Sequence, residues 1–326
     1  MSAAIRHRKS EHVPRARLTA SVIIPNYNHA DVVARAIASV SAQGEDVAEI
    51  IVIDDASTDD SVAVIEAALR GHAHARLLRN AVNRGVIETL NRGIWEASGD
   101  FVLLAAADDH YLPGMVASCL RALESHPQAG LVCGTPRIEW LDGSELRVVQ
   151  PFGEVARFVT PEELTARAAQ QNILFFTGAT LLRRDAILAA GGLMPELQWH
   201  ADWLLDLVLA LRHGFCHLPQ DCCVVTFSPH SYSQGRHAWR RQRQVLTALV
   251  SALSRSYADV MPRFRRAALL PTYNMAFMRT LLTDRQLRFY LTPLLVWRLV
   301  AYRALQFMSQ VAPWRLRQRL RGLLRL

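Results

Sequence analysis

Short apolar runs alternate with amphipathic segments over the first 135 residues of the chain. The apolar runs predict strands that are buried on both faces, as in a parallel sheet, and the 3.6-residue apolar spacing between them predicts helices. The predicted strands are 21–25, 49–54, 76–78, 101–105 and one that begins at 131–133, and the predicted helices are 31–43, 59–70, 86–97 and 113–125. Strands that alternate with helices predict an α/β fold with a mostly parallel sheet flanked by helices.

After residue 135 the alternation becomes less regular. The dipeptide Asp142-Gly143 predicts a hairpin over 137–149, because it suits a tight two-residue turn. Further along, the pattern predicts helices at 162–171, 185–190 and 201–213, a strand at 177–182 and a break at Gly191-Gly192. We therefore expect one α/β domain over residues 19–235.

The two ends of the chain differ from this domain. Residues 1–18 are basic and polar and lack the apolar stretch of a signal peptide, so we expect a disordered basic arm. Residues 236–326 are predicted to form a helical, basic C-terminal region. No acidic residue follows Asp284, whereas arginine recurs at 285, 288, 298, 303, 315, 317, 319, 321 and 325.

The apolar segment 289–308 predicts a helix that lies on a surface. A membrane span needs about 20 mostly apolar residues without central charge, and Pro293, Arg298 and Arg303 interrupt this segment. An arginine-lined amphipathic helix is typical of binding to an anionic membrane. We therefore expect a cytoplasmic protein, peripheral at the inner face of the plasma membrane. An ordinary packing helix with a solvated basic face and a helix that forms a homodimer are the alternatives.

Composition narrows the class of protein. The chain has 326 residues, 51% of them hydrophobic, which is enough for a large core. The net charge of +8 is carried by arginine, since Lys9 is the only lysine, and arginine can bind phosphate through two parallel hydrogen bonds. No nucleic-acid motif accompanies this charge, so we expect no nucleic-acid partner. The five cysteines lack metal-ligand spacing and predict buried, reduced thiols.

Pairs of acids end two of the predicted strands. Asp54-Asp55 follows the second strand, and Asp108-Asp109 follows the apolar run at 101–107. Because ligands of open α/β sheets bind outside the carboxyl ends of strands, these acids are expected to line a site. Their oxygens suit Mg²⁺ or Mn²⁺, ribose hydroxyls or a base N–H. The absence of Gly-x-Gly-x-x-Gly after either strand argues against a dinucleotide dehydrogenase.

Three further segments carry candidate chemistry. Pro25-Asn26-Tyr27-Asn28 can hydrogen-bond to a base and stack on it, although alone it reads as a turn. Asn83-Arg84-Gly85 offers an anion contact, with a solvated helix charge as the alternative. In Trp199-His200-Ala201-Asp202-Trp203, the acid is either a helix cap or a general base. The flanking tryptophans favour a base, since they can desolvate an acid and stack on sugars.

These motifs, in this order over residues 20–233, resemble those of the family 2 glycosyltransferases, which are inverting enzymes with the Rossmann-like GT-A fold. The resemblance implies a nucleotide-sugar donor, expected to be a UDP-sugar, a metal cofactor (Mg²⁺ or Mn²⁺), and a glycan or lipid-linked acceptor in envelope polysaccharide synthesis. It implies Asp202 as the catalytic base and Asp108 with Asp109 as metal ligands. The implied nucleotide-sugar contacts are Pro25, Tyr27, Asn28, Asp54, Asp55, Asn83, Arg84 and Asp108, and the implied acceptor side consists of Gly178, Trp199, His200 and Trp203.

The chain departs from the family pattern at two positions. Ala106 replaces the first acid of Asp-x-Asp, and Ala201 replaces the Glu that often precedes the base. Either the cation rests on one protein carboxylate with the donor diphosphate, or the protein is a non-catalytic homologue that binds a glycan or a partner. A sugar nucleotidylyltransferase would need a glycine-rich basic loop after the first strand. The Gln-x-x-Arg-Trp motif of processive synthases is absent, so we expect transfer of a single sugar.

Overall fold

The computed structural model describes residues 17–140, 143–148, 150–227, 239–271 and 275–311. The predicted N-terminal arm lies outside these ranges except for its last two residues. Asp142 of the predicted turn, the domain boundary predicted at residue 235 and the basic tail from residue 312 also lie outside them.

The described residues contain ten strands that form one sheet. They are β1 (Ala20–Asn26), β2 (Val47–Asp54), β3 (Ala75–Arg79), β4 (Phe101–Leu104), β5 (His110–Tyr111), β6 (Leu131–Trp140), β7 (Glu145–Arg147), β8 (Arg157–Val159), β9 (Thr180–Arg183) and β10 (Phe215–Phe227). The order is β3-β2-β1-β4-β9-β6-β10-β5, with β7 paired to β6 and β8 to β10. β3, β2, β1 and β4 run parallel, and β9 is antiparallel to both of its neighbours.

Helices cover both faces of this sheet. They are α1 (Val33–Ser41), α2 (Ser61–Ala68), α3 (Val86–Glu96), α4 (Met115–Ser125), α5 (Pro161–Ala168), α6 (Arg184–Ala190), α7 (Ala201–His213), α8 (Trp239–Arg255), α9 (Met261–Arg266), α10 (Met275–Thr283) and α11 (Pro293–Val311). Alternate residues of β1 point to opposite faces: Ile23 packs in a cluster with α3 and α7, and Ile24 in a cluster with α1 and α4. Burial on both faces explains why the strands read as continuous apolar runs.

The predicted strands and helices of the first 135 residues are confirmed, and so are the hairpin of β6 with β7 and the helix at 201–213. The strand predicted at 177–182 is shorter, because Thr177–Ala179 forms a 3₁₀ turn before β9. Strand β10 was not predicted. Pro219 and the polar residues beside it break its alternation, and the register shifts that accommodate them lie between His217 and Cys223.

The parallel register brings the candidate loops to one edge. Asn26, at the end of β1, is paired with Asp54, at the end of β2. β4 runs parallel to β1 on its other side, so the segment with Asp108 leaves the sheet at the same edge. The three loops predicted to bind a nucleotide sugar are therefore neighbours in space.

The C-terminal helices share the core of the sheet. Leu253 of α8, Phe264 of α9, Phe277 of α10 and Tyr290 belong to the same buried cluster as Ile23. The Arg212 guanidinium binds the Asp259 carboxylate with two hydrogen bonds of 2.7 and 2.8 Å, which ties α7 to the segment between α8 and α9. Residues 239–271 and 275–290 therefore pack as part of the α/β body.

Helix α11 has a buried side and an outward face. Leu295 and Leu299 are buried, and the outward face consists of Val296, Trp297, Val300 and Phe307, which are 44, 67, 52 and 60% exposed. None of the helices in the described ranges combines the length and the apolarity that a membrane span requires.

Gly93→Ala tests the contact between α3 and the sheet. A Cβ at Gly93 would lie 2.3 Å from Cγ2 of Ile23, so we expect the free energy of unfolding to fall by about 1–3 kcal/mol. Helix propensity alone would make the alanine variant more stable by about 1 kcal/mol. A loss of stability would therefore report the close contact between α3 and the sheet. Urea denaturation measures the change. Glu66→Ala, at an exposed position of α2, is the control, and its free energy of unfolding is expected within about 0.5 kcal/mol of wild type. Unchanged stability in Gly93→Ala would mean that α3 can move off the sheet at little cost.

Candidate active site

The first two loops are joined where β1 and β2 end. Asp54 is buried and accepts hydrogen bonds from the Asn26 side-chain amide and the Ser57 backbone N–H, both at 3.1 Å. Asn28 has a left-handed backbone (φ 56°), and its side-chain oxygen accepts from the Thr58 N–H at 2.8 Å. The polar atoms of Asp54 and Asn28 therefore hold the loops together.

Pro25 and Tyr27, the other predicted contacts of the first loop, keep accessible surface. Pro25 is half-buried within β1, and Tyr27 is 43% exposed. An exposed aromatic ring at the edge of a sheet is suited to stack on a nucleoside base.

Asp55 is buried and organises the third loop. One carboxylate oxygen accepts from the Asn80 side chain (2.7 Å) and the Arg84 N–H (2.9 Å), and the other accepts from the Gly85 N–H (2.8 Å). Gly85 is the N-cap of α3, so Asp55 satisfies a backbone donor at the start of that helix. The Arg92 guanidinium donates to the side-chain oxygen of Asn80 at 2.7 Å and thereby orients its amide. Asn80 was not among the predicted contacts.

Asn83 and Arg84 lie on the exposed side of this loop. The Asn83 side-chain oxygen accepts from the Gly85 N–H at 3.0 Å. Arg84 pairs with Glu88 at 3.0 Å, and the two side chains are 54 and 44% exposed. Because so exposed a pair contributes little to stability, the guanidinium can exchange Glu88 for an anionic ligand.

Helix α3 also contacts the glycine break that precedes α7. The Asn91 side chain donates to the Leu193 carbonyl and accepts from the Leu193 N–H, both at 2.8 Å. A Cβ at Gly192 would lie 2.7 Å from the Asn91 oxygen. The Gly191-Gly192 break therefore permits a close approach between α3 and the segment that leads to Asp202.

Asp108 and Asp109 follow β4. The backbone oxygen of Asp108 accepts from the Arg35 guanidinium at 3.0 Å. Asp109 is 6% exposed, and one of its oxygens accepts from the Thr226 N–H at 2.9 Å. Burial, and after it the charge of Asp108, raises the pKa of Asp109 to about 7, while the Thr226 hydrogen bond and Arg35 act in the opposite direction.

The chemistry of this pair fits a divalent cation. A cation bound between two adjacent carboxylates would relieve the repulsion and desolvation that raise the pKa of Asp109. Mg²⁺ is usually held by one or two carboxylates together with substrate phosphates, so a pair of acids is compatible with such a cation although Ala106 stands in place of a third acid. Across the described ranges, no group of three or more His, Cys, Asp or Glu side chains is placed to hold a metal by itself.

The turn Thr177–Ala179 connects the acid pair with the predicted base. A Cβ at Gly178 would lie 3.5 Å from a carboxylate oxygen of Asp109 and 3.5 Å from the Tyr111 hydroxyl. The neighbouring Thr177 hydroxyl donates to a carboxylate oxygen of Asp202 at 3.0 Å. The structure therefore brings Asp109, Gly178 and Asp202 to one region, together with Thr177, which the sequence analysis did not select.

Asp202 lies in the first turn of α7 and is half-buried. The N-cap of α7 is His200, so Asp202 is not the helix cap. Its second oxygen accepts from the Trp203 N–H at 2.7 Å. Burial raises the pKa of Asp202, while the hydrogen bonds from Trp203 and Thr177 lower it. A carboxylate with a raised pKa and a fixed orientation is suited to act as a general base.

The aromatic residues around Asp202 divide into two sets. Trp203 packs edge-on against Phe264 of α9, at 6.0 Å between ring centroids, and so belongs to the core side. Trp199 and His200 are half-buried, and the indole N–H of Trp199 donates to Nε2 of His200 at 3.0 Å. That bond requires a neutral imidazole with its proton on Nδ1.

Known proteins share sequence with this chain. The profile of the family described as Glycosyl transferase family 2 matches residues 21–191. The succinoglycan biosynthesis protein ExoU of Rhizobium meliloti is 39% identical over 99 residues, which are 30% of this chain and 29% of that protein. For several curated relatives the match spans less than two thirds of their own length.

Solved structures share the fold. Staphylococcus aureus TarS in complex with UDP-GlcNAc is similar with a TM-score of 0.60 at 17% identity, over 94% of this chain and 84% of that chain. The mannosyltransferase PcManGT from Pyrobaculum calidifontis, in complex with GDP-Man and Mn²⁺, is similar with a TM-score of 0.55 at 17% identity, over 95% of this chain and 86% of that chain.

Asp55→Asn tests the buried carboxylate. An amide cannot accept on both sides, so at least one of the three N–H donors would lose its partner, and we expect the free energy of unfolding to fall by about 1–3 kcal/mol. Thermal denaturation measures the change. Asp60→Asn is the matched control, because Asp60 is exposed at the start of α2 and makes no side-chain cap bond. Equal melting temperatures for the two variants would contradict this account of Asp55.

Proposed function

The chain belongs to glycosyl transferase family 2 and has the GT-A fold, and from this premise we propose that it transfers one sugar from a nucleotide-sugar donor to an acceptor hydroxyl with inversion at the anomeric carbon. The observation that carries the proposal is the position of Asp202 relative to Asp109. The Thr177 hydroxyl holds Asp202, and the Asp109 carboxylate lies against the next residue, Gly178. A base on one side and a diphosphate-binding acid pair on the other are the two parts that direct displacement requires.

The donor is proposed to be a UDP-sugar. TarS is solved with UDP-GlcNAc, and PcManGT with GDP-Man. In this chain, the exposed Tyr27 ring would stack on the base, and the Asp55 loop would fix Arg84 near the diphosphate. The buried Asp54 and Asp55 would act mainly by shaping this pocket, since their oxygens already accept protein N–H groups.

The proposed step is a single displacement. As the acceptor oxygen bonds to the anomeric carbon, the bond from that carbon to the diphosphate oxygen breaks, and the acceptor proton passes to the Asp202 carboxylate. Burial of Asp202 raises its pKa and so strengthens it as a base. Asp108 and Asp109 would hold Mg²⁺ or Mn²⁺, which when bound supplies positive charge to the departing diphosphate.

An open cleft next to the base side is the proposed path of a glycan acceptor. It encloses about 560 Å³ between the 3₁₀ segment Pro195–His200 and α8, within the range of roughly 300–1,000 Å³ usual for ligand sites. Most of the residues that line it have polar side chains; they are Glu196, Gln198, Arg243, Gln244, Thr247, Ala248 and Ser251. Gln198 has an uncommon backbone (φ 51°, ψ −125°) of the kind that clusters at ligand sites. Amides and hydroxyls of this kind suit sugar hydroxyls, and the name of ExoU supports a role in polysaccharide synthesis.

The outward face of α11 supports peripheral binding to an anionic membrane. Trp297 and Phe307 are large, apolar and exposed, Arg303 lies on the same side of the helix, and Arg285 and Arg288 are exposed just before it. Because no acidic residue follows Asp284, nothing in the later sequence opposes attraction to anionic headgroups. Such a position would suit a lipid-linked acceptor. Pairing of two copies through α11 is the alternative.

Calorimetric titration with UDP, with and without Mn²⁺, tests the donor site, and turnover of UDP-sugars tests the base. We expect Mn²⁺ to tighten UDP binding at least tenfold, and Asp108→Ala to lose that gain, because Asp108 would help to hold the cation whose positive charge favours the diphosphate. Asp202→Asn should bind UDP like the wild type yet lose turnover by a factor of about 10² or more, since an amide cannot accept the proton.

Two outcomes would contradict the proposal. Loss of UDP binding in Asp202→Asn would assign Asp202 a structural role. Failure of the wild type to bind either UDP or GDP, with or without metal, would favour the non-catalytic homologue, in which Ala106 and Ala201 have removed two acids.

Sedimentation with vesicles tests the membrane face. Trp297→Ser combined with Phe307→Ser should weaken binding to phosphatidylglycerol vesicles at least tenfold, since burial of one large apolar side chain contributes about 1.5–3 kcal/mol. Val155→Ser is the control, because Val155 is 73% exposed but lies outside the C-terminal region. Equal vesicle binding by both variants, or a dimer that only the double variant loses, would contradict membrane binding through this face.

A further inference from the structure

Asp206 is a buried acid that the proposed mechanism does not use. It lies one helical turn after Asp202 on α7, is 0% exposed and is surrounded by buried leucines of the same helix. One of its carboxylate oxygens has no hydrogen-bond partner among the described residues, and the other lies 3.4 Å from the Thr177 hydroxyl. A fully buried, ionised carboxylate with so few partners would be very costly.

The Thr177 hydroxyl is shared by two acids. Its oxygen lies 3.0 Å from an oxygen of Asp202 and 3.4 Å from an oxygen of Asp206. A hydroxyl group has one proton to donate and two lone pairs with which to accept, so it cannot donate to both acids at once. The hydroxyl can bind both acids when Asp206 keeps a proton and donates it to the Thr177 oxygen, while Thr177 donates its own proton to Asp202.

The surroundings of Asp206 favour this arrangement. Burial, and after it the charge of Asp202, raises the pKa of Asp206 well above its ordinary range. Burial, and after it the charge of Asp206, also raises the pKa of the buried Cys133 thiol of β6. Two charged groups on α7 and the neighbouring α5 are engaged in ion pairs: Arg212 pairs with Asp259, and Glu163 of α5 pairs with Arg157.

We propose that Asp206 is a positioning residue, which stays protonated and, through the Thr177 hydroxyl, holds the Asp202 carboxylate ionised and in a fixed orientation. This inference rests on the proposed role of Asp202 as the base. Asp206 does not touch the reacting groups. It sets the direction of the Thr177 hydroxyl, and the hydrogen bond from that hydroxyl stabilises the charged form of Asp202 against the effect of burial.

Four variants of the full chain separate this role from simple packing. Asp206→Asn keeps a donor toward Thr177 but cannot ionise, and Asp206→Leu keeps the volume without the donor. Thr177→Val removes the shared hydroxyl, and Thr177→Ser retains it. Two measurements apply to each variant: a carbon-13 NMR titration of the aspartate carboxyl carbons, assigned by comparison with the variants, and the pH profile of kcat/KM for the donor sugar.

We expect Asp206 to remain protonated in the wild type at pH 7. Thr177→Val and Asp206→Leu should move the acidic limb of the pH profile to higher pH by about one unit, because loss of a hydrogen bond to the charged form raises the pKa of Asp202. Both should lower kcat by about tenfold or more and leave the donor KM within about twofold. Asp206→Asn and Thr177→Ser should restore most of the turnover and the wild-type limb.

Three results would overturn the proposal: an Asp206 carboxyl carbon that titrates in the ordinary range near pH 4, a loss of activity in Asp206→Asn equal to that in Asp206→Leu, or an unshifted acidic limb in Thr177→Val. If Asp206→Leu does not fold, Asp206→Asn and Thr177→Val still decide the question. If the wild type turns over no donor, the proposed function fails, whereas the NMR titration still shows whether Asp206 keeps its proton and whether Thr177 lowers the pKa of Asp202.

Discussion

The Asp55 carboxylate holds three segments that are separate in the sequence. It follows β2, it binds the Asn80 side chain after β3, and it accepts the backbone N–H groups of Arg84 and Gly85 where α3 begins. Because this acid is buried, each N–H group that it loses would remain without a partner in a region with little access to water. The position of the third loop, and with it the orientation of Arg84, therefore depends on one side chain.

The second half of the site depends on a short turn of a different kind. Gly178 brings the backbone against Asp109, and Thr177 places its hydroxyl between two acids of α7. The acid pair after β4 and the base on α7 come from segments about 100 residues apart in the sequence. A turn with one small residue and one hydroxyl residue is enough to join them, because both contacts are made by neighbouring positions of the chain.

Much of this arrangement could be predicted from the order of apolar runs and acids. Strands buried on both faces leave a clear pattern, and acids at their ends mark the edge of the sheet. The pattern does not show where an acid points. Asp54 and Asp108 look alike in the sequence, yet Asp54 accepts from Asn26 and Ser57, whereas Asp108 uses its backbone oxygen toward Arg35. Strand β10 escaped prediction because bulges around Pro219 conceal its alternation. Asp206 was not selected from the sequence, because a single acid in an amphipathic helix gives no sign of whether it is buried.

Helix α3 touches both halves of the site. Its first residues are bound through Gly85 to Asp55, and less than two turns later the Asn91 side chain hydrogen-bonds to both backbone groups of Leu193 in the segment that leads to α7. A helical segment of six residues is only about 9 Å long and resists bending. Gly93 lets the same helix pack directly on Ile23, and this close contact holds the helix against the sheet. The start of α3 and Asn91 therefore move together. Order that a ligand imposes on the loop at Gly85 is shared by the segment at Leu193.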